Sequence, residues 1–335
     1  MLTTATIEHI LATIPNRTIG VLGDLFLDRY LDIDPALTEP SIETGLDAYQ
    51  VVRVRAMPGA AGTVINNLVA LGAGRVVPIS MVGDDGEGYE LRQALERAPS
   101  VCMNNIVSTR DCRTPTYAKP MFGQRELNRL DIKNRAPLPA TVENTILRML
   151  AQSWASSDVL LVLDQVSEPD CGVVTACVRA RLEELAESDA KKIVIADSRE
   201  RIGFFRNVWL KPNERECLRA TRCHDLNEAL KMLVNKTDRP VICTRSERGM
   251  LVVELNGGAI EVPAYPVAGP IDSVGAGDSS SAAMACALAC GTTLVEAAAF
   301  GNLIASITIQ QIGTTGTATP AQIRQRWQDV FSPAS

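Results

Sequence analysis

"DSVGAGDSSSAAMACALACG", residues 272–291, places two glycines and two aspartates in its first seven positions and then turns almost wholly small and apolar. The second half reads as a buried helix, because no charged residue interrupts it over several turns. The first half reads as the tight turn that leads into that helix. Small residues there expose consecutive backbone N–H groups at the positive end of the helix, an arrangement suited to an anion. Asp278 sits at the helix start, where two roles are open. As a cap it would accept a backbone N–H bond. Beside a bound phosphoryl group it could accept the proton of an attacking hydroxyl. The segment is not a Walker A loop, since no Lys-Ser/Thr follows, and Ser280 stands where GxGxxG would need its third glycine.

Outward from this stretch, short apolar runs alternate with helical patterns. Strand-like runs fall at 18–22, 76–82, 158–163, 192–196 and 240–244, and helical patterns at 61–71, 86–97, 142–154, 171–186 and 226–234. Repetition of strand then helix predicts an α/β fold with a mostly parallel central sheet covered by helices on both faces. Ligands in such sheets bind beyond the carboxyl ends of the strands, so the glycine-rich turns after strands are the candidate sites. Residues 30–57 and 110–133 break the rhythm with charged, alternating sequence. We expect them to form a small separate β-sheet acting as a lid on one domain spanning 1–335.

Composition narrows the function classes. Of 335 residues, 46% are hydrophobic and 21% charged, as in an ordinary globular chain, and the net charge of -6 argues against binding nucleic acid through a basic surface. The longest apolar run, 282–290, is too short to span a bilayer. The first twenty residues lack a basic region followed by an apolar one, so no signal peptide is read there. Nine scattered cysteines with no CxxC pair suit reduced thiols in the cytoplasm better than a disulfide framework or a zinc site. With only His9 and His224, neither near a glycine-rich turn, an enzyme here would use a carboxylate as its base.

Other motifs take meaning in sequence. In "LKPNERE" (210–216), Asn213 and Glu216 are three apart and share a helix face if Pro212 starts a helix; an amide and a carboxylate so placed could hold Mg²⁺ directly or through water. "VICTRSERGM" (241–250) runs from a buried strand into a polar turn over which a nucleotide could lie. "VLGDLFLDRY" (21–30) places Asp24 and Asp28 after the first strand, and "MPGAAGTVINNLVALG" (57–72) places Gly59 and Gly62 at the entry to a helix.

In this order the pieces resemble the ribokinase-like, PfkB-type carbohydrate kinases over most of the chain. The carrying blocks are "GDLFLD", "PGAAGTVINNLVALGA", "VGDDGEG", "KPNERE", "TRSERG" and "DSVGAGD". Within that family, "GDLFLDRY", "VGDDGEG" and "LNRLD" are most similar to the kinase half of bifunctional heptose-phosphate kinase/adenylyltransferases, and no HxGH nucleotidyltransferase motif occurs. The resemblance implies phosphoryl transfer from ATP to a hydroxyl of a sugar or sugar phosphate. It implies Asp278 as catalytic base, with Gly275, Ala276 and Gly277 as the anion hole. It implies a Mg²⁺ motif at Asn213 and Glu216, a nucleotide turn at Thr244, Ser246 and Gly249 with Asn302 on the adenine side, and a monovalent cation such as K⁺ near Asp272. Sugar-side positions are Asp28, Gly59, Ala60, Thr63 and Asn67. A lid of this kind often also joins two copies into a homodimer. The departures are Ala60, Gly62 and Thr63, where relatives usually carry a second glycine and then Ala-Asn, and "LDQVSEPD" (163–170), which lacks an expected lysine-glycine. Polar contacts discriminate strongly between hydroxyl patterns, so these departures bear on specificity. A nucleoside kinase on the same scaffold, and a non-catalytic sugar- or nucleotide-binding regulator, are the alternatives. The acceptor alcohol becomes acidic only late in transfer, so a carboxylate base needs no raised pKa.

Overall fold

The computed structural model describes residues 2–123, 125–255 and 257–331; Gln124, within the second irregular stretch, and the ends of the 1–335 span lie outside the described residues. A nine-stranded sheet runs, edge to edge, through Ala259–Val262, Met250–Val253, Val241–Thr244, Trp209–Leu210, Ile193–Ser198, Val159–Asp164, Thr18–Gly23, Arg75–Gly83 and Ile106–Thr109. The strands from Val241–Thr244 to Ile106–Thr109 pair in parallel, and Met250–Val253 and Ala259–Val262 add antiparallel. The sheet is therefore mostly parallel, as the alternating pattern requires.

Two-sided burial explains why its strands are continuous apolar runs rather than alternating ones. Val159–Asp164 is buried at every position. Val159, Leu161 and Leu163 face the helices Ala61–Ala70, Ala276–Ala289 and Leu294–Thr308, while Leu160 and Val162 face Ala140–Trp154, Ala176–Ser188 and Leu226–Thr237. The period-2 geometry of a strand divides one apolar run between two cores. Ala276–Ala289 packs against both Leu294–Thr308 and Ala61–Ala70, and everything from Ser279 to Ala289 is buried. Alanine and serine side chains let the helix axes approach closely there. Phe300, on Leu294–Thr308 and wholly buried, is worth about 3–5 kcal/mol against truncation to alanine.

One helix starts later than its sequence pattern predicts. The segment 171–175 is a turn, and the helix is Ala176–Ser188, because Thr175 caps it by accepting the Val178 N–H at 3.2 Å. The strands at 106–109, 209–210, 250–253 and 259–262 are only two to four residues long, too short to stand out in the chain.

The chain leaves the main sheet at Asp24 and passes directly into a second, five-stranded sheet. Its members are Leu25–Ile33, Val51–Ala60, Thr116–Phe122, Leu130–Ile132 and the two-residue Arg125–Glu126. Leu25–Ile33 lies at its centre, antiparallel to Val51–Ala60 and parallel to Thr116–Phe122. The two irregular stretches thus contribute most of this sheet, which begins at Leu25 and extends to Ala60. Among the described residues no helix is long and apolar enough to cross a membrane.

Candidate active site

The turn before Ala276–Ala289 is built on Asp272 and Gly275. Asp272 accepts the Val274 N–H on one carboxylate oxygen (3.0 Å) and the Gly313 N–H on the other (3.1 Å), tying the turn to the loop after Leu294–Thr308. Gly275 has φ +81°, and a Cβ there would press on the methyl groups of Thr315 (3.3 Å) and Thr63 (3.6 Å). Both backbone and space therefore call for glycine. No side chain caps this helix. Ala276 N–H is turned onto the Ser273 carbonyl at 3.2 Å, and the N–H groups of Gly277 and Asp278 that follow have no intrahelical acceptor. Asp278 is thus not the cap, and its carboxylate is left for another use.

That carboxylate meets a side-chain network. Gln165 Nε2 donates to Asp278 Oδ1 at 3.2 Å, and Arg199 Nη2 donates to Gln165 Oε1 at 3.3 Å. Asp197, at the carboxyl end of Ile193–Ser198, is held by the buried Lys211 ammonium at 3.0 Å. Burial first, and then the neighbouring Asp197 charge, push the Asp278 carboxyl up to about 6, against the opposing pull of Lys211, Arg199 and the Gln165 bond. Its acidity is weaker than an ordinary carboxylic acid's, a shift that proton transfer of this kind does not require. A partly accessible carboxylate at this level is ionised at neutral pH and is a stronger base than an exposed aspartate.

Asn213 and Glu216 form a capping box at the start of Glu214–Thr221. The Asn213 side chain accepts the Glu216 N–H at 2.9 Å, and Glu216 Oε2 accepts the Asn213 N–H at 2.8 Å. The motif therefore has a structural role in its own right. Glu216 also feels Asp197 and Lys211; burial and the Asp197 charge raise its pKa while the Asn213 N–H and Lys211 lower it. Among the described residues no cluster of three or more His, Cys, Asp or Glu side chains is arranged to hold a metal. Two carboxylates near one lysine fit a hydrated Mg²⁺ that brings its own phosphate ligands better than an ion caged by protein alone.

On one side of the Ala276–Ala289 N-terminus lies a cavity of about 730 Å³. Asn213, Thr244, Ser246, Gly249, Gly277 and Asn302 are among its walls. Gly249 has φ +78°, and a Cβ there would fall 2.2 Å from the Val262 carbonyl oxygen, so only glycine closes this turn. Asn302 donates its amide to the carbonyls of Val262 (3.0 Å) and Pro263 (3.1 Å), so its donors hold the cavity wall in place.

On the other side lies a smaller cavity of about 200 Å³, roofed by the second sheet. Asp24, Phe26, Tyr117, Lys133, Gln165 and Arg199 line it. Phe26 and Tyr117 meet edge to face at 5.2 Å. Arg129, also in its wall, is paired with Asp131 at 2.6 Å and lies over the Tyr117 ring. Gln165 and Arg199 thus belong both to this cavity and to the network around Asp278.

The sequence-predicted sugar positions are not among the residues that line this cavity. Asp28 is paired with Lys119 at 3.0 Å, and Gly59 lies so close beneath it that a Cβ would come within 2.7 Å of Oδ2. Thr63 is buried beside Gly275. Asn67 is wholly buried and donates its amide to the Thr63 carbonyl at 3.0 Å. Ala60 adopts φ +55° and ψ −121°, a conformation that favours glycine. Sequence reasoning missed Gln165, Asp197, Arg199 and Lys211. The signal for Gln165, Arg199 and Lys211 was their place just beyond strand ends, and for Asp197 its place at the carboxyl end of a strand, where α/β sheets put their ligands; Gln165 and Lys211 stood inside quoted motifs, unread.

Comparison with known proteins agrees with this architecture. The model of the pfkB family carbohydrate kinases matches residues 28–322. Curated relatives include the bifunctional protein HldE of Bradyrhizobium sp. (strain ORS 278), 28% identical over 324 residues, covering 93% of this chain and 64% of the relative. HldE of Trichlorobacter lovleyi is 31% identical over 311 residues, covering 90% of this chain and 61% of the relative. The chain spans less than two thirds of the length of these relatives. Among solved structures, Arabidopsis thaliana ribokinase complexed with ribose and ATP superposes with a TM-score of 0.68 at 16% identity, covering 92% of this chain and 98% of that one. Escherichia coli phosphofructokinase-2 in complex with fructose-6-phosphate gives 0.70 at 18%, covering 94% and 99%. These similarities show a ribokinase-like fold. With the family model spanning most of the sequence, the chain belongs to the PfkB family of carbohydrate kinases.

Proposed function

We propose that this chain transfers the γ-phosphoryl group of ATP to a hydroxyl of a sugar or sugar phosphate. One observation carries the reading: Asp278 stands at the helix N-terminus between the two cavities, joined to the smaller one through Gln165. The larger cavity takes the nucleotide, its phosphates directed toward Gly277. The smaller cavity takes the acceptor beneath the second sheet, which serves as a lid and excludes water.

In the transfer, the acceptor oxygen forms a bond to the γ-phosphorus as the bond from that phosphorus to the β–γ bridging oxygen breaks. Asp278 receives the hydroxyl proton, and ADP leaves with the bridging electrons. The N–H groups of Gly277 and Asp278 face the charge on the moving phosphoryl group. Arg199 and Lys211 add positive charge on the acceptor and Asp197 sides. Mg²⁺, when bound with the nucleotide near Glu216, Asn213 and Asp197, would neutralise phosphate charge.

Lys133 and Arg199 in the acceptor cavity have no carboxylate within ion-pair distance among the described residues. That favours an acceptor carrying an anionic group of its own, such as a sugar phosphate. The test is coupled ADP release over free sugars, sugar phosphates and nucleosides. Signal confined to sugars or sugar phosphates supports the reading. Signal with nucleosides alone, or tight binding with no ADP from any acceptor, would replace it with the nucleoside-kinase or the regulator reading.

A further inference from the structure

Asp24 occupies the point where the chain leaves the main sheet for the second one, and no part of the chemistry above uses it. It is only 3% exposed. Its Oδ1 accepts the Val173 N–H at 2.6 Å. Gly172 presses so closely on the carboxylate that a Cβ there would lie 2.6 Å from Oδ1 and 2.9 Å from Oδ2. The loop 165–173 is thus wrapped around Asp24 by one of its oxygens. The other oxygen, Oδ2, is buried and has no hydrogen-bond partner among the described residues. A buried carboxylate oxygen left unpaired is costly, and such atoms persist where a ligand completes them. Asp24 lines the 200 Å³ cavity beside Gln165 and Arg199.

From this geometry we infer that Asp24 Oδ2 is a specificity-determining contact for the acceptor, binding a hydroxyl other than the one that reacts. The inference rests on the reading of this cavity as the acceptor site. Gln165 links the two carboxylates in one frame: its side chain donates to Asp278, and its backbone N–H approaches Asp24 closely enough to favour the ionised carboxylate without meeting hydrogen-bond geometry. A ligand spanning the cavity would therefore meet Asp278 with its reacting hydroxyl and Asp24 with a second one. Spacing between the two hydroxyls, rather than the identity of either, would then be what the site reads. The environment suits this role. Burial chiefly, reinforced by the Asp164 charge and opposed by the Val173 N–H, the Arg201 charge and the Gln165 N–H, pushes the Asp24 carboxyl up to about 7, so it can meet a hydroxyl as donor or acceptor.

A purely structural role makes a different prediction, and Asp24→Asn separates the two. Asparagine keeps the size and the Oδ1 acceptor for Val173, and replaces Oδ2 by a group that only donates. Probes are ribose, glucose, mannose, fructose 6-phosphate, glucose 6-phosphate and mannose 6-phosphate, measured by calorimetry and by coupled ADP release. For the best wild-type probe, the dissociation constant should rise about 10- to 100-fold, the loss usual for a contact to a charged or strongly polar partner. The rank order of probes should change, with ATP affinity unchanged and Tm at pH 8 no lower than that of wild type, since asparagine removes the cost of ionising a buried carboxyl. Asp24→Ser, which vacates the Oδ2 position while retaining a hydroxyl for the Val173 N–H, should act in the same direction if the asparagine variant is poorly folded. Unchanged acceptor affinities and rank order in both variants, with ADP release intact, would overturn the role of Asp24 alone. Failure of every probe to bind the wild-type protein would overturn the acceptor-site reading and this inference with it.

Discussion

Gln165 Nε2 lies 3.2 Å from Asp278 Oδ1, and this one bond joins the acceptor cavity to the carboxylate at the helix N-terminus. It stabilises the ionised form of Asp278 against burial and against Asp197. Its removal therefore raises the Asp278 pKa above about 6. In Gln165→Leu, the acid limb of the kcat–pH profile should move to higher pH, with activity at pH 8 reduced less than activity at pH 6. An acid limb in the same place as wild type would show that Gln165 does not act on the base.

The raised pKa of Asp278 also carries a stability consequence. Its folded value, about 6, exceeds the ordinary 3.8, so ionisation opposes folding. Below about pH 4 the carboxyl is protonated in both states and the penalty is absent; it grows as pH rises and is complete above about pH 6. Asp278→Asn should therefore raise Tm at pH 8 and lose that advantage near pH 4. Thermal unfolding across pH checks this, and a Tm at pH 8 below that of wild type would contradict it.

Ala60 sits at φ +55° and ψ −121°, between the second sheet and the helix Ala61–Ala70. For a residue with a Cβ this strain costs about 1–3 kcal/mol, partly offset by the lower unfolded-state entropy of alanine. Ala60→Gly should stabilise the fold by about 1 kcal/mol, a rise in Tm of about 2 °C. Calorimetric unfolding measures it, and a fall in Tm would mean that the conformation is relaxed.

The capping box separates two meanings of Asn213 and Glu216. Glu216→Gln keeps a capping-box side chain at its position, so Tm should change by no more than about 2 °C. If Glu216 also serves Mg²⁺, the metal concentration for half-maximal activity should rise about tenfold. Titrating Mg²⁺ against initial rate decides the matter; an unchanged requirement leaves the pair a cap alone.

What the sequence made legible follows from which residues are constrained locally. Gly275 and Gly249 are required by positive φ and close contacts, so their motifs are readable in one dimension. The strand Val159–Asp164 is readable because both its faces are buried. Gln165 and Arg199 could not be read in this way. Their partners lie far along the chain, Gln165 bonding to Asp278 across 113 positions, and beyond their place just past a strand end nothing local distinguishes them from loop residues. Asp272–Asp278 suggested a cap, yet the helix has no side-chain cap, because Gly275 in the left-handed region turns the chain before Asp278 is reached. Thr63 and Asn67 are buried because Ala61–Ala70 packs against Ala276–Ala289, with Thr63 set beside Gly275.

The account turns on Asp278 as the group that takes the acceptor's proton, and the most direct measurement compares wild type with Asp278→Asn. ATP affinity by calorimetry should be retained within about threefold, because the N–H groups that face the phosphates belong to the backbone. The turnover number by coupled ADP release should fall by about 10²–10⁴, the range of general base catalysis. Turnover equal to wild type, with ATP still bound, would contradict the assignment of Asp278 as the base.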